Sequence, residues 1–272
     1  MSEDVKPVVL LVPILNFDCE VDKIVLDKSH LIRRDSNNEI ENMILKFPNS
    51  KMLRSAIGDA KFLLELKGTS EEIFDVTFSP ETADANLVIT SLRLLNVGWT
   101  PMLTAFYISV DSLLISDPYP KRYYPLNKYS VLSKEKTEEF KLLWKVQKNI
   151  YKKKPHLVFA LKQFNKSFQN YGKEEIVDYI TAFESIVFGR GTNPPSPYGR
   201  AIGIAIGMLI GKNEKERTQI EQRLNEAYEI RNKIVHGHLQ NKINAGGEKR
   251  FSDLLAFTKE CLIQSLIKLL KE

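Results

Sequence analysis

The chain has 272 residues, 43% hydrophobic and 27% charged, the proportions of a soluble globular protein with room for one large domain or two small ones. No run of about 18 uninterrupted apolar residues occurs, so no transmembrane helix is expected, and the acidic start followed by a short apolar run interrupted by Pro13 does not read as a signal peptide. Two cysteines, Cys19 and Cys261, suit a reducing cytoplasm, and four histidines without metal-ligand spacing exclude a zinc site, so neither metal nor cofactor is expected.

The net charge of +5 is unevenly spread: residues 1–132 carry −4 and residues 133–272 carry +9. A basic half joined to an acidic half points to a polyanionic partner, with lysine-rich solvated helix faces as the plainer explanation.

In chain order, the first 132 residues read as a strand-rich α+β domain. VVLLVPILNF and VDKIVL are extended segments, and LIRRDSNNEIENMIL is a strand end followed by one short helix with Ser36 or Asn37 as its cap. FLLELKG, EIFDVTF and NLVITSLRLL are further strand candidates between Gly, Ser, Pro and Asp punctuation. GWTPMLTAFYISVDSLLIS fits strand or helix equally, and the Pro- and Tyr-rich DPYPKRYYPLNKYS reads as a linker.

From Ser133 onward every segment reads as helix. Ser133 caps the first, whose inner face carries Phe140, Leu143, Trp144 and Gln147. Pro155 opens the second, and Gly172 ends it. KEEIVDYITAFESIVFG has Ile176, Ile180, Phe183 and Val187 as a core stripe, Glu184 at its edge and Gly189 as its stop. After the loop TNPPSP comes YGRAIGIAIGMLIG, where Gly199, Gly203, Gly207 and Gly211 recur every fourth residue and would admit a neighbouring helix backbone. The next helix starts at Asn213, which can cap it with Glu216 reaching back. The loop QNKINAGG and a final amphipathic helix from Phe251 complete an all-α antiparallel bundle over residues 133–272.

The Asn213 helix carries the chemistry. Ile220, Leu224, Ala227, Ile234 and Val235 recur at helical spacing, and Arg231 falls within that apolar stripe, one heptad after Leu224. A guanidinium there needs a partner, and Glu184 is the natural one; the pair alone reads equally as a structural tie. Asn232 and His236, four apart, share a flank, and Gly237 stops the helix.

Arg231, the amide beside it, His236 and the glycine that follows resemble the R-x4-6-H motif of the HEPN superfamily. RNKIVHG, with TAFESIVFG about fifty residues upstream, is most similar to the Apea-like HEPN branch. The resemblance covers roughly the last half of the chain. It implies a HEPN-type bundle, a homodimer that brings two motifs together, and a metal-independent endoribonuclease acting in bacterial anti-phage defence by abortive infection. The alternative it carries is a non-catalytic HEPN module that binds RNA, a nucleotide or a partner protein. Under the first implication His236 moves protons, Arg231 meets phosphate charge and Asn232 orients one or the other. Glu184 supports Arg231, while Arg200, on the glycine-rich helix, is a minor candidate for nucleic-acid contact. His238 stands where some HEPN toxins carry a tyrosine that a partner nucleotidyltransferase adenylylates. That departure argues against such control and leaves His238 as a second titrating group.

Overall fold

The computed structural model describes residues 7–14, 17–45, 60–69, 84–97, 105–108, 113–116, 130–150, 153–168, 170, 172–189, 197–237 and 245–272. Among these, all eight strands precede residue 133 and six of the eight helices follow it. The chain divides into two compact units, residues 1–148 and 149–272.

Unit 1 is built on a six-stranded antiparallel sheet. Its strands are β1 (Pro7–Ile14), β3 (Lys23–Val25), β4 (His30–Arg34), β5 (Phe62–Thr69), β6 (Ala105–Ile108) and β7 (Leu113–Ser116), in the order β3-β4-β5-β1-β6-β7. β1 and β5 pair along their full length, from Pro7 opposite Thr69 to Ile14 opposite Phe62. Phe62 to Leu66 are all buried, as a strand covered on both faces requires. The short strands β2 (Phe17–Cys19) and β8 (Ser130–Leu132) form a separate parallel pair.

One arginine ties this sheet to α1 (Glu39–Ile44). Arg33 on β4 donates from Nε to Glu65 of β5 at 2.7 Å, and from Nη1 and Nη2 to the two oxygens of Glu39 at 2.8 Å each. Lys67 adds a contact to Glu65 at 3.0 Å. The bonds to Glu39, then those to Glu65, push the guanidinium's pKa up. Burial by itself would raise Glu65, but the hydrogen bonds from Arg33 and Lys67 outweigh it and hold that carboxyl below its ordinary range.

Local chemistry corrects two sequence expectations here. The cap of α1 is Asp35, whose carboxylate accepts from the N–H groups of Glu39 and Ile40 at 2.8 and 3.1 Å. NLVITSLRLL is not a strand but most of helix α2 (Asp84–Leu94). Its residues, Thr90, Ser91 and Arg93 included, are buried continuously from Leu87 to Leu95, and a short run covered on every side carries no periodicity with which to tell helix from strand. Thr90 and Ser91 donate their hydroxyls to the carbonyls of Asn86 and Leu87, one turn back, which satisfies both polar groups inside the core. The ambiguous GWTPMLTAFYISVDSLLIS supplies β6 and β7, whereas EIFDVTF and nearly all of the expected linker lie outside the described residues.

Ser133 precedes α3 (Lys134–Ile150) and accepts from Lys136 N–H at 3.4 Å. Although sequence places this helix at the start of the bundle, all but its last two residues belong to unit 1. The reason is the partners it finds there: on its inner face Gln147 donates to Ser91 of α2 at 2.7 Å and Trp144 lies 5.2 Å from the His30 ring, while the exposed Lys148 reaches Asp27 at 3.5 Å.

Unit 2 contains α4 (Pro155–Ser167), α5 (Lys173–Phe188), α6 (Tyr198–Ile210), α7 (Glu214–Val235) and α8 (Ala245–Lys271). α8, which begins at Ala245 ahead of the expected Phe251, touches the other four. α4 ends at Ser167, and Gly172 instead begins α5 in a left-handed conformation (φ +64°) open to glycine, its N–H bonded to Glu175 at 2.9 Å. Ile176, Ile180 and Phe183 of the expected stripe are buried, together with Asp178, Tyr179, Ala182 and Ile186, whereas Val187 is only partly covered. α6 lies along α7 through the glycine stripe: a Cβ added at Gly203 would come within 2.7 Å of the Glu221 backbone. Among the described residues, no helix is long and apolar enough to cross a membrane.

Candidate functional site

The candidate residues are set out by the two ends of α7. At its start the Asn213 carboxamide accepts from Glu216 N–H at 2.9 Å, while Glu216 reaches back to Lys212 N–H at 2.8 Å, one residue earlier than in the ordinary reciprocal box. At its end His236 is the capping residue, its N–H bonded to the Asn232 carbonyl at 3.0 Å. Gly237 follows with φ +71°, a conformation that stops the helix and that a side chain would strain. His236 is therefore delivered to the surface one turn beyond Asn232, and its side chain is exposed.

Arg231 turns toward α5. Its Nη2 donates to Glu184 Oε2 at 3.3 Å and its Nη1 to Asn232 Oδ1 at 3.0 Å, with the guanidinium carbon 5.7 Å from the centre of the Tyr228 ring. Both members of the ion pair are largely covered, with side-chain exposures of 21% for Arg231 and 28% for Glu184. The contact is nevertheless long, since a charge-assisted N–H···O bond ordinarily spans about 2.7–2.9 Å. Arg231 Nε is buried with no acceptor. Burial lifts Glu184 above the ordinary carboxylate range, and Arg231 only partly draws it back.

Tyr228 belongs to this group and was not among the residues singled out from sequence. It stands three residues before Arg231 and four before Asn232, so all three share adjoining turns. Its phenol interacts with the Asn232 side chain; burial first, then the Glu184 charge, pushes its pKa up. Gly199 of α6 makes room for it, as a Cβ there would lie 2.9 Å from Tyr228 Cβ. The fourfold glycine spacing, aligned against the tyrosine on the next helix, was the sequence signal that could have found it.

Arg200 is placed elsewhere. It is two-thirds exposed and donates to Glu221 at 2.9 Å, ten residues or about 15 Å of helix from Arg231. His238 lies outside the described residues. None of the candidates lines the shallow groove of about 450 Å³ bounded by Arg223, Glu226, Lys249, Arg250 and Asp253, where Arg250 is bonded to Glu226. Among the described residues, no group of three His, Cys, Asp or Glu side chains is disposed to hold a metal ion.

The arrangement therefore combines a titratable imidazole at a helix end, an amide one turn below it, and a cation held by a single carboxylate. Such a set can move a proton, orient an oxyanion and neutralise its charge. Comparisons with protein-family models, with curated proteins and with solved structures found no match for this chain.

Proposed function

We propose that the protein is a metal-independent endoribonuclease of HEPN type, acting as a dimer through its helical part in bacterial anti-phage defence. The observation that supports this reading is the Glu184–Arg231–Asn232 cluster at the end of the helix that His236 caps. Cleavage of an RNA strand by its own 2′-OH needs a base for that hydroxyl, an acid for the departing 5′-oxygen and a cation for the growing phosphate charge. His236 is suited to either proton transfer and Arg231 to the phosphate. Two protomers related by a two-fold axis would supply one histidine for each proton. The defence role rests on the resemblance of RNKIVHG and TAFESIVFG alone.

The test is RNA cleavage in EDTA. The expected products carry a 2′,3′-cyclic phosphate and a 5′-hydroxyl, and light scattering at tens of micromolar protein should report a dimer. RNA left intact by the folded dimer would remove the endonuclease reading. A second reading, a non-catalytic module binding RNA, a nucleotide or a partner protein, is favoured by one specific fact: Arg231 already spends two of its three nitrogens on protein acceptors.

A further inference from the structure

The Glu184–Arg231 contact is built as a replaceable one. Nε and Nη2 form one edge of a guanidinium, the edge whose two parallel N–H groups match a pair of carboxylate or phosphate oxygens. In Arg231 that edge is half used. Nη2 reaches a single Glu184 oxygen at 3.3 Å, and Nε, beside it, has no acceptor. The opposite nitrogen, Nη1, is held by Asn232, the neighbouring residue of the same helix, which fixes the plane of the group independently of Glu184.

We infer that a phosphodiester anion binds Arg231 by displacing Glu184 from the Nε/Nη2 edge, and that Glu184 takes up one proton from solvent as it is displaced. The inference rests on the preceding reading only in taking a phosphodiester as the anion that Arg231 meets. The exchange balances simply: the Nη2–H···Oε2 bond breaks, two N–H···O bonds to the phosphate form, and the Glu184 carboxylate plus a proton becomes a carboxylic acid. Direction follows from the surroundings. Burial already raises the Glu184 pKa and Arg231 is the charge that restrains it. Losing the arginine to an anion removes that restraint and adds a neighbouring negative charge, both of which favour the protonated form.

The groups around Glu184 agree with this. From α7 it meets Arg231 and Tyr228, and Tyr198 of α6 acts on Tyr228. The lysines that α5 meets from α4 and α8 serve its other end, Lys166 on Asp178 at 3.2 Å and Lys259 on Glu175. His156 of α4 accepts through its backbone carbonyl from Ser185. A protonated Glu184 beside a bound phosphodiester would also place an acid in the same protomer as His236.

The probe is an oligodeoxyuridine, which has phosphodiesters that do not titrate near neutrality and no 2′-OH to be cut. It is titrated calorimetrically into full-length His236→Ala protein, so that the imidazole contributes no protons, in buffers of different ionisation enthalpy. Binding should take up protons, and affinity should fall as pH rises through the range in which bound Glu184 is protonated and free Glu184 is not, by up to about tenfold per pH unit. Glu184→Gln should abolish the uptake, flatten the pH dependence and bind at least as tightly at the upper pH. The carboxyl NMR resonance of Glu184 on adding the oligomer gives the same answer without substituting that residue. Binding without proton uptake, uptake unchanged in Glu184→Gln, loss of binding in that variant, or no binding at all would each overturn the proposal. RNA cleavage by the unsubstituted protein with no such linkage would leave the endonuclease standing; linkage without cleavage would do the reverse.

Discussion

Arg33 in the sheet unit and Arg231 in the helical unit are covered to the same extent, with side-chain exposures of 22% and 21%, and bonded differently. Arg33 spends Nε, Nη1 and Nη2 on two carboxylates at 2.7–2.8 Å, and Glu65 is held below its ordinary pKa in return. Arg231 has one carboxylate at 3.3 Å, an amide at 3.0 Å and an unmatched Nε, and Glu184 is raised. A guanidinium with every nitrogen bonded to a carboxylate has no free edge for a ligand and acts as a clamp. One that is partly covered yet incompletely bonded retains affinity for an anion. On the reading proposed above, saturation, more than burial, is what separates a structural arginine from one that recognises a ligand.

The largest expected effect lies in cleavage. Arg231→Ala or His236→Ala should lower the rate by about 10²–10³, whereas Arg33→Ala should leave it within a fewfold per folded molecule. Arg231→Lys should recover little, because an ammonium lacks the planar fork. Single-turnover rates on a short RNA check this, and equal losses at Arg33 and Arg231 would erase the contrast.

Stability should rank the two arginines the other way. Arg33→Ala leaves Glu65, which is 9% exposed, with Lys67 alone of its two cations, and should cost about 3 kcal/mol. Urea denaturation reads it directly. Gly203→Leu should follow at about 1–3 kcal/mol, because the Glu221 backbone has no flexible end to give way.

The smallest effect carries a sign. Glu65, depressed in the fold, contributes stability above its unfolded pKa that is lost as pH falls through its lower folded pKa. Glu184, raised in the fold, contributes stability below its unfolded pKa that is lost as pH rises through its higher folded pKa. At neutral pH Glu65→Gln should therefore lower the melting temperature. Glu184→Gln should leave it unchanged or slightly raised, a change below about 1 kcal/mol. Thermal melts from acid to neutral pH would expose matching signs, if they occur, and cancel the comparison.

The sequence by itself determined the helical second half and most of its boundaries, since Pro155, Gly189, Asn213 and Gly237 act through local backbone chemistry. It also brought Arg231, Asn232 and His236 together, because residues on one helix keep a fixed spacing wherever the helix packs. Only tertiary structure could decide the rest. α2 reads as a strand because burial on every side leaves its sequence without the periodicity that would tell. α3 joins the sheet unit because Gln147 and Trp144 find partners distant in sequence. Arg200 meets Glu221 and Tyr228 fits against Gly199 because two helices approach along a glycine seam, and the long, half-matched Glu184 contact follows from where α5 comes to rest beside α7. Such distances depend on how helix faces interlock, which local spacing leaves open.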